Sequence, residues 1–179
     1  MSTTGNGRAM HPSAHGHYLG KFRGTVNNNQ DPLNRGRIQV LVPQVLNDSP
    51  AWAMPCVPFA GKNMGFFAIP DNGTGVWVEF EAGDPSYPIW TGFFWNKDDI
   101  PVADADPNIK FFVTKKFTLR IDDSVGEITI KNDSGSQIVL SAMDIAMKSS
   151  AVSAEGTGGK KIVVDATGFN VNDAAFEVL

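Results

Sequence analysis

The residues best equipped for chemistry are few and scattered. All three histidines, His11, His15 and His17, fall within the first 17 residues, and a His-Gly-His spacing can bring two imidazoles to one ion. Their surroundings are Gly, Ser and Thr with no evident third ligand or outer partner, so a polar arm over 1–17 is expected rather than a metal centre. Asp98, Asp99, Asp104 and Asp106 offer carboxylates, but their spacing does not fit a calcium loop, and with Pro101 and Pro107 they read as a solvated linker over 96–110. Asp122-Asp123 precedes Ser124-Val-Gly126, where a turn explains both acids. The single cysteine, Cys56, has no partner for an intrachain disulfide and no histidine near it in sequence, so a buried, inert thiol is expected. Trp77, Trp90 and Trp95 could stack on bases or sugars, although residues 1–95 carry 6 basic and 6 acidic residues, which favours packing over nucleic-acid binding. No nucleophile elbow, zinc motif or phosphate loop occurs. The reading is a non-enzyme without cofactor or metal.

The elements that would position these residues are all strand-like. With 179 residues, 42% of them hydrophobic, the chain has material for one or two folded domains. Its net charge of −4 comes from residues 96–179, where 9 basic residues face 13 acidic ones. The N-terminus lacks a basic segment followed by an apolar one, and no stretch approaches membrane-spanning length, so cytoplasmic synthesis without a Sec address is expected. From Tyr18, the segments Tyr18–Val26 and Gly36–Pro43 suggest an opening hairpin. The connection Pro50–Gly61 is too rich in proline for an interior strand. Asp71-Asn-Gly73-Thr-Gly75 turns into Gly75–Glu81, and Pro88–Trp95 closes the set. Some five short strands without a convincing helix predict a small antiparallel barrel of the OB type over 18–95.

The last third differs. All 11 prolines lie at or before Pro107 and all 4 tryptophans at or before Trp95. Beyond them, Phe117–Ile121, Glu127–Lys131, Gln137–Leu140, Asp144–Met147, Lys161–Val164 and Phe169–Val171 alternate with a period of two. Leu119, Ile121, Ile128, Ile130, Ile138, Leu140, Ile145, Met147, Ile162 and Val164 would line the apolar face. Strands this thin leave that face wet unless something covers it, and the chain offers no second layer. Residues 111–179 are therefore expected to intertwine with, or stack on, identical copies; one half of an ordinary antiparallel sandwich is the alternative.

A family resemblance rests on Gly36-Arg-Ile-Gln-Val-Leu-Val-Pro43, Trp52, Pro55-Cys-Val-Pro58, Ala60-Gly61, Gly65 leading to Ile69-Pro70, Gly75-Val-Trp-Val-Glu-Phe80, Glu81-Ala-Gly-Asp-Pro85 and Pro88-Ile-Trp-Thr-Gly92. In order and spacing these pieces resemble the OB domain of the baseplate spike proteins of contractile phage tails, the baseplate assembly protein V and VgrG-type proteins of phages, type VI secretion and extracellular injection systems. The alternating stretch falls where that family places a trimeric β-helix or β-prism.

The resemblance implies an all-β homotrimer within a phage tail or injection particle. Its OB domains would meet the baseplate hub and tail tube, and the three C-terminal stretches would form a needle that plugs the tube and pierces a target envelope on sheath contraction. The chain departs from relatives that carry a lysozyme domain, for which it has no room, and from those with an iron-binding His-x-His tip, since no histidine follows His17. Its apolar end, with Phe176, Val178 and Leu179, is expected either to contact a PAAR-type tip protein or to close the last layer of the prism. The other function consistent with the sequence is an OB binding module for nucleic acid or glycan on an oligomerisation stalk.

Overall fold

The computed structural model describes residues 17–100, 104–172 and, as backbone, 176–178. They divide into two compact units on either side of the Asp99–Ile100 junction.

In the first unit, alternating apolar residues build five strands that close into a barrel. These are β1 (Phe22–Asn28), β2 (Ile38–Leu41), β3 (Ala51–Pro55), β6 (Gly75–Phe80) and β7 (Pro88–Phe93). Their order around the barrel is β1-β2-β3-β7-β6, with β6 returning to β1, an OB-like arrangement in which β3 and β7 are the parallel pair. Phe22, Val26, Ile38, Val40, Val42, Ala53, Val76, Val78, Phe80 and Trp90 point inward and form the core. Seven of these are fully buried, Ile38, Ala53 and five valines, and among the described residues no polar side chain is buried with them. Register slips between Val26 and Asn28 and between Trp77 and Val78 supply the bends that a small closed barrel needs.

Two local expectations are corrected here. The proline-rich stretch 50–61 contributes an interior barrel strand after all. Pro55 is tolerated because it lies beyond the last β2–β3 pair, where no ladder donor is required, and the amide of Cys56 donates to the Trp90 carbonyl in its place at 2.9 Å. Cys56 is exposed rather than buried: it is the residue at which the chain leaves the barrel. After it come Phe59 and a small hairpin, β4 (Ala60–Gly61) and β5 (Met64–Gly65). Two single helical turns join strands of this unit. One is α1 (Pro43–Leu46), with proline at its start and the Val42 carbonyl accepting from Val45 and Leu46; the other is a 3-10 turn at Glu81–Gly83.

The second unit is a chain of hairpins. β8 (Ile109–Val113), β9 (Phe117–Asp122), β10 (Glu127–Asn132), β11 (Gln137–Leu140) and β12 (Ile145–Lys148) form one antiparallel sheet in sequence order. β13 (Ala151–Glu155), β14 (Lys161–Asp165), β15 (Gly168–Val171) and β16 (Phe176–Val178) form another. The turns carry their own chemistry. Asn132 Oδ1 accepts from the amides of Ser134 and Ser136 around Gly135, whose φ is +91°, and the Asp122 carboxylate accepts from Ser124 before Gly126.

Candidate functional site

The side chains expected to do chemistry are tied into structural contacts. His17 Nδ1 lies 2.9 Å from the Ala82 carbonyl, beside Gly83; His11 and His15 lie outside the described residues. Asp99 accepts from the backbone and side-chain amides of Asn96, and Asp106 accepts from the Asn108 amide. Asp104 pairs with Arg120 at 3.2 Å, and that bond raises the guanidinium above its ordinary value. Asp122 bonds Ser124 and Arg120, which holds its carboxyl below the usual range, while Asp123 pairs with Lys110. Among the described residues no three His, Cys, Asp or Glu side chains gather as metal ligands, and no helix is long and apolar enough to cross a membrane.

The tryptophans do not make a common platform. Trp90 is core, its indole N–H donating to the Gly36 carbonyl at 3.2 Å. Trp77 sits on the outside of β6, where the Arg23 guanidinium covers it at 4.8 Å and the Phe94 ring meets it at 5.0 Å. Trp52 is likewise covered, by Arg37 at 5.2 Å. Arg37 is itself fixed by Asp31, whose carboxylate also accepts from the amides of Leu33, Arg35 and Arg37, so the β1–β2 connection is clamped from one side chain. Only Trp95 is broadly exposed among the four.

The surface that lacks a cover is in the second unit, and register defines it. Residues paired directly across antiparallel strands share a face, so two apolar columns run across the first sheet. One is Phe112, Leu119, Ile130, Ile138 and Met147; the other is Ile121, Ile128, Leu140 and Ile145, begun by Lys110 on the edge strand β8. A lysine on an edge discourages further pairing there, and Asp123 balances it. In the other sheet Val152, Val164 and Phe169 form one column and Ala154, Ile162 and Val171 the other.

Exposure along these strands runs opposite to that of an ordinary sheet. Ile130 is 44% exposed and Ile162 45%, whereas the Asp122 side chain is 14% exposed and that of Arg120 27%. Thr129, Val139 and Val163 on the other face are also more sheltered than the isoleucines beside them. Nine of the ten residues expected to line a covered face are exposed in the single chain, the tenth, Ile121, being half-buried. Phe176 and Val178 lie in β16 opposite Val171 and Phe169, and Leu179 is outside the described residues.

Residues 22–95, the span of the closed barrel, match the family model described as the type VI secretion system/phage-baseplate injector OB domain. The chain carries an injector OB domain. No curated protein matches it. The family's description concerns parts of phage baseplates and type VI injectors, and it is the barrel, not the second unit, that is similar to them. Gly36, Pro55, Gly75 and Trp90, on which the resemblance rested, meet in the barrel: Gly36 lies against Pro55, accepts from Trp90, and Gly75 leaves room for Phe94. The cover over Trp77 was not legible, because nothing in sequence couples Arg23 to a residue 54 positions away.

Proposed function

We propose that this chain is the central spike of a contractile tail or injection machine. Three copies assemble through residues 111–179 into a β-helix or β-prism, with Leu119, Ile121, Ile128, Ile130, Ile138, Leu140, Ile145, Met147, Ile162 and Val164 inside it. The OB domain at 18–95 meets the baseplate hub and tail tube, 1–17 is an arm, and 96–110 joins the two domains. The assembled needle plugs the tube and is driven through the target envelope on sheath contraction, as a mechanical part without catalysis or cofactor. Phe176, Val178 and Leu179 meet a PAAR-type tip protein.

The observation that carries this reading is the exposure of the apolar columns in the second unit, inverted along β9–β11 and at Ile162–Val163 of β14, where isoleucines and leucines are more exposed than the residues of the opposite face. Water does not stabilise a contiguous apolar face of this kind, and a barrel similar to the injector OB domain precedes it; identical copies stacked about one axis would cover it. A closed assembly also removes free edges and must come apart cooperatively, which suits axial load. The test is absolute mass by light scattering on the purified chain. Three times 19.3 kDa, persisting in detergent before boiling, is expected. A stable single-chain species with a cooperative unfolding transition would sink the proposal.

A further inference from the structure

The two sheets of the second unit separate between β12 and β13, and the way they separate is specific. Each of the other reversals in this unit from β8 to β15 has a local clamp or glycines. Thr114 Oγ1 accepts from the amides of Lys116 and Phe117 between β8 and β9. Gly126 and Gly135 take positive φ in the next two turns, and Ser141 Oγ accepts from Met143 and Asp144 between β11 and β12. Gly158 and Gly159, with φ of +80° and +73°, serve β13–β14. Asp165 accepts from the amide and hydroxyl of Thr167 before Gly168, which serves β14–β15.

Between β12 and β13 there is only Ser149-Ser150, with no glycine and no positive φ. A two-residue hairpin needs a primed turn, with φ above zero, to match strand twist. Ser149 is moreover still engaged with β11: Gln137 pairs with Lys148, and one step further the Ser136 and Ser149 hydroxyls meet at 2.8 Å. That leaves Ser150 alone to turn the chain, which is too little for β13 to fold back on β12 of the same chain. Both edges are consequently left without a ladder partner among the described residues.

The apolar columns nevertheless continue across the gap. Setting Met147 opposite Val152 and Ile145 opposite Ala154 would join the columns of the two sheets and keep Ala146 and Ser153 together on the opposite face, the outer one of the proposed assembly. The two edges are thus complementary in face yet cannot meet within one chain. We propose that they meet between chains: the β12 edge of one copy takes the β13 edge of the next as its antiparallel neighbour, so that the chain crosses to an adjacent wall of the assembly at Ser149–Ser150. Such head-to-tail pairing closes into a ring when the rotation between copies is one-third of a turn. Neither edge carries a proline or a mid-strand charge to discourage pairing, in contrast to β8 with Lys110. This inference rests on the trimer proposed above and adds where the chains exchange strands.

The test is disulfide trapping in a Cys56→Ser background, so that only introduced thiols react. The full chain carries Ala146→Cys with Ser153→Cys, both at exposed outer-face positions; a second variant, Ala146→Cys with Ala151→Cys, covers a two-residue slip. Native mass is measured first, then the chains are oxidised mildly and run denatured without reductant. The expected result is a native trimer that yields covalent three-chain species in at least one variant. A native trimer whose cysteines form a disulfide within single chains, or stay free to a thiol reagent in both variants, overturns the strand exchange and leaves the trimer standing. A native single chain without the engineered bond overturns the trimer itself.

Discussion

Ile130 gives the sharpest quantitative test of assembly. It lies mid-column, between Leu119 and Ile138, and keeps 44% of its surface exposed in the single chain. Full burial of an isoleucine side chain is favourable by about 1.5–3 kcal/mol, so covering the remaining portion contributes about 0.7–1.3 kcal/mol per chain. With three equivalent copies, Ile130→Ser removes about 2–4 kcal/mol from assembly, or roughly 30- to 700-fold in the association constant at about 1.4 kcal/mol per tenfold. Lys131→Ser, one residue along on the opposite face, is the control and leaves assembly unchanged. The assay is a dilution series followed by sedimentation or light scattering, reading the concentration at which the assembly dissociates. Equal dissociation of Ile130→Ser and Lys131→Ser would refute the reasoning, because it would mean that this face is not what the copies bury.

Two further outcomes concern the barrel. In Gly75→Ala the new methyl would fall 2.5 Å from the Phe94 ring, so Phe94 must leave its contact with Trp77 and Arg23; a loss of about 1–3 kcal/mol in thermal or denaturant unfolding is expected, with a change in tryptophan fluorescence, and an unchanged spectrum would count against that contact. Asp31 is held well below the usual carboxylate range, first by Arg37 and then by the amides of its own turn. A carboxyl depressed in the folded state contributes stability that is complete above its unfolded value, about 3.9, and is lost as pH falls below it. Acid titration of stability should therefore be less steep in Asp31→Asn than in the parent chain over that range, with the variant already weaker at neutral pH.

The barrel was largely legible because its strands obey local rules. Gly75–Phe80 alternates cleanly, and its turn residues announce it. β3 was not legible: Pro55 argues against a strand by composition, and only the barrel's closure shows that its missing donor falls where none is needed. β8 and β13 escaped for different reasons. Ile109-Lys-Phe-Phe-Val113 carries apolar residues on both faces, and Ala151-Val-Ser-Ala-Glu155 is made mostly of small ones, so neither shows a strong period of two. The columns of the candidate surface followed from alternation, since each strand keeps its parity through the next turn. The exposure of Cys56 did not, because a lone cysteine between apolar residues reads as core until the chain's exit from the barrel is seen.

The columns bear on how such a molecule can vary in length. Each strand of the first sheet stands beside its neighbour in sequence, at the roughly 4.8 Å spacing of hydrogen-bonded strands. A duplicated or deleted hairpin therefore changes the ladder by about 10 Å and restores both chain direction and side-chain parity. Loss of a single strand would reverse the direction of everything that follows. Length in this unit is quantised in pairs of strands, and a lineage can lengthen or shorten the ladder by recombination between its hairpins without redesigning the face they share.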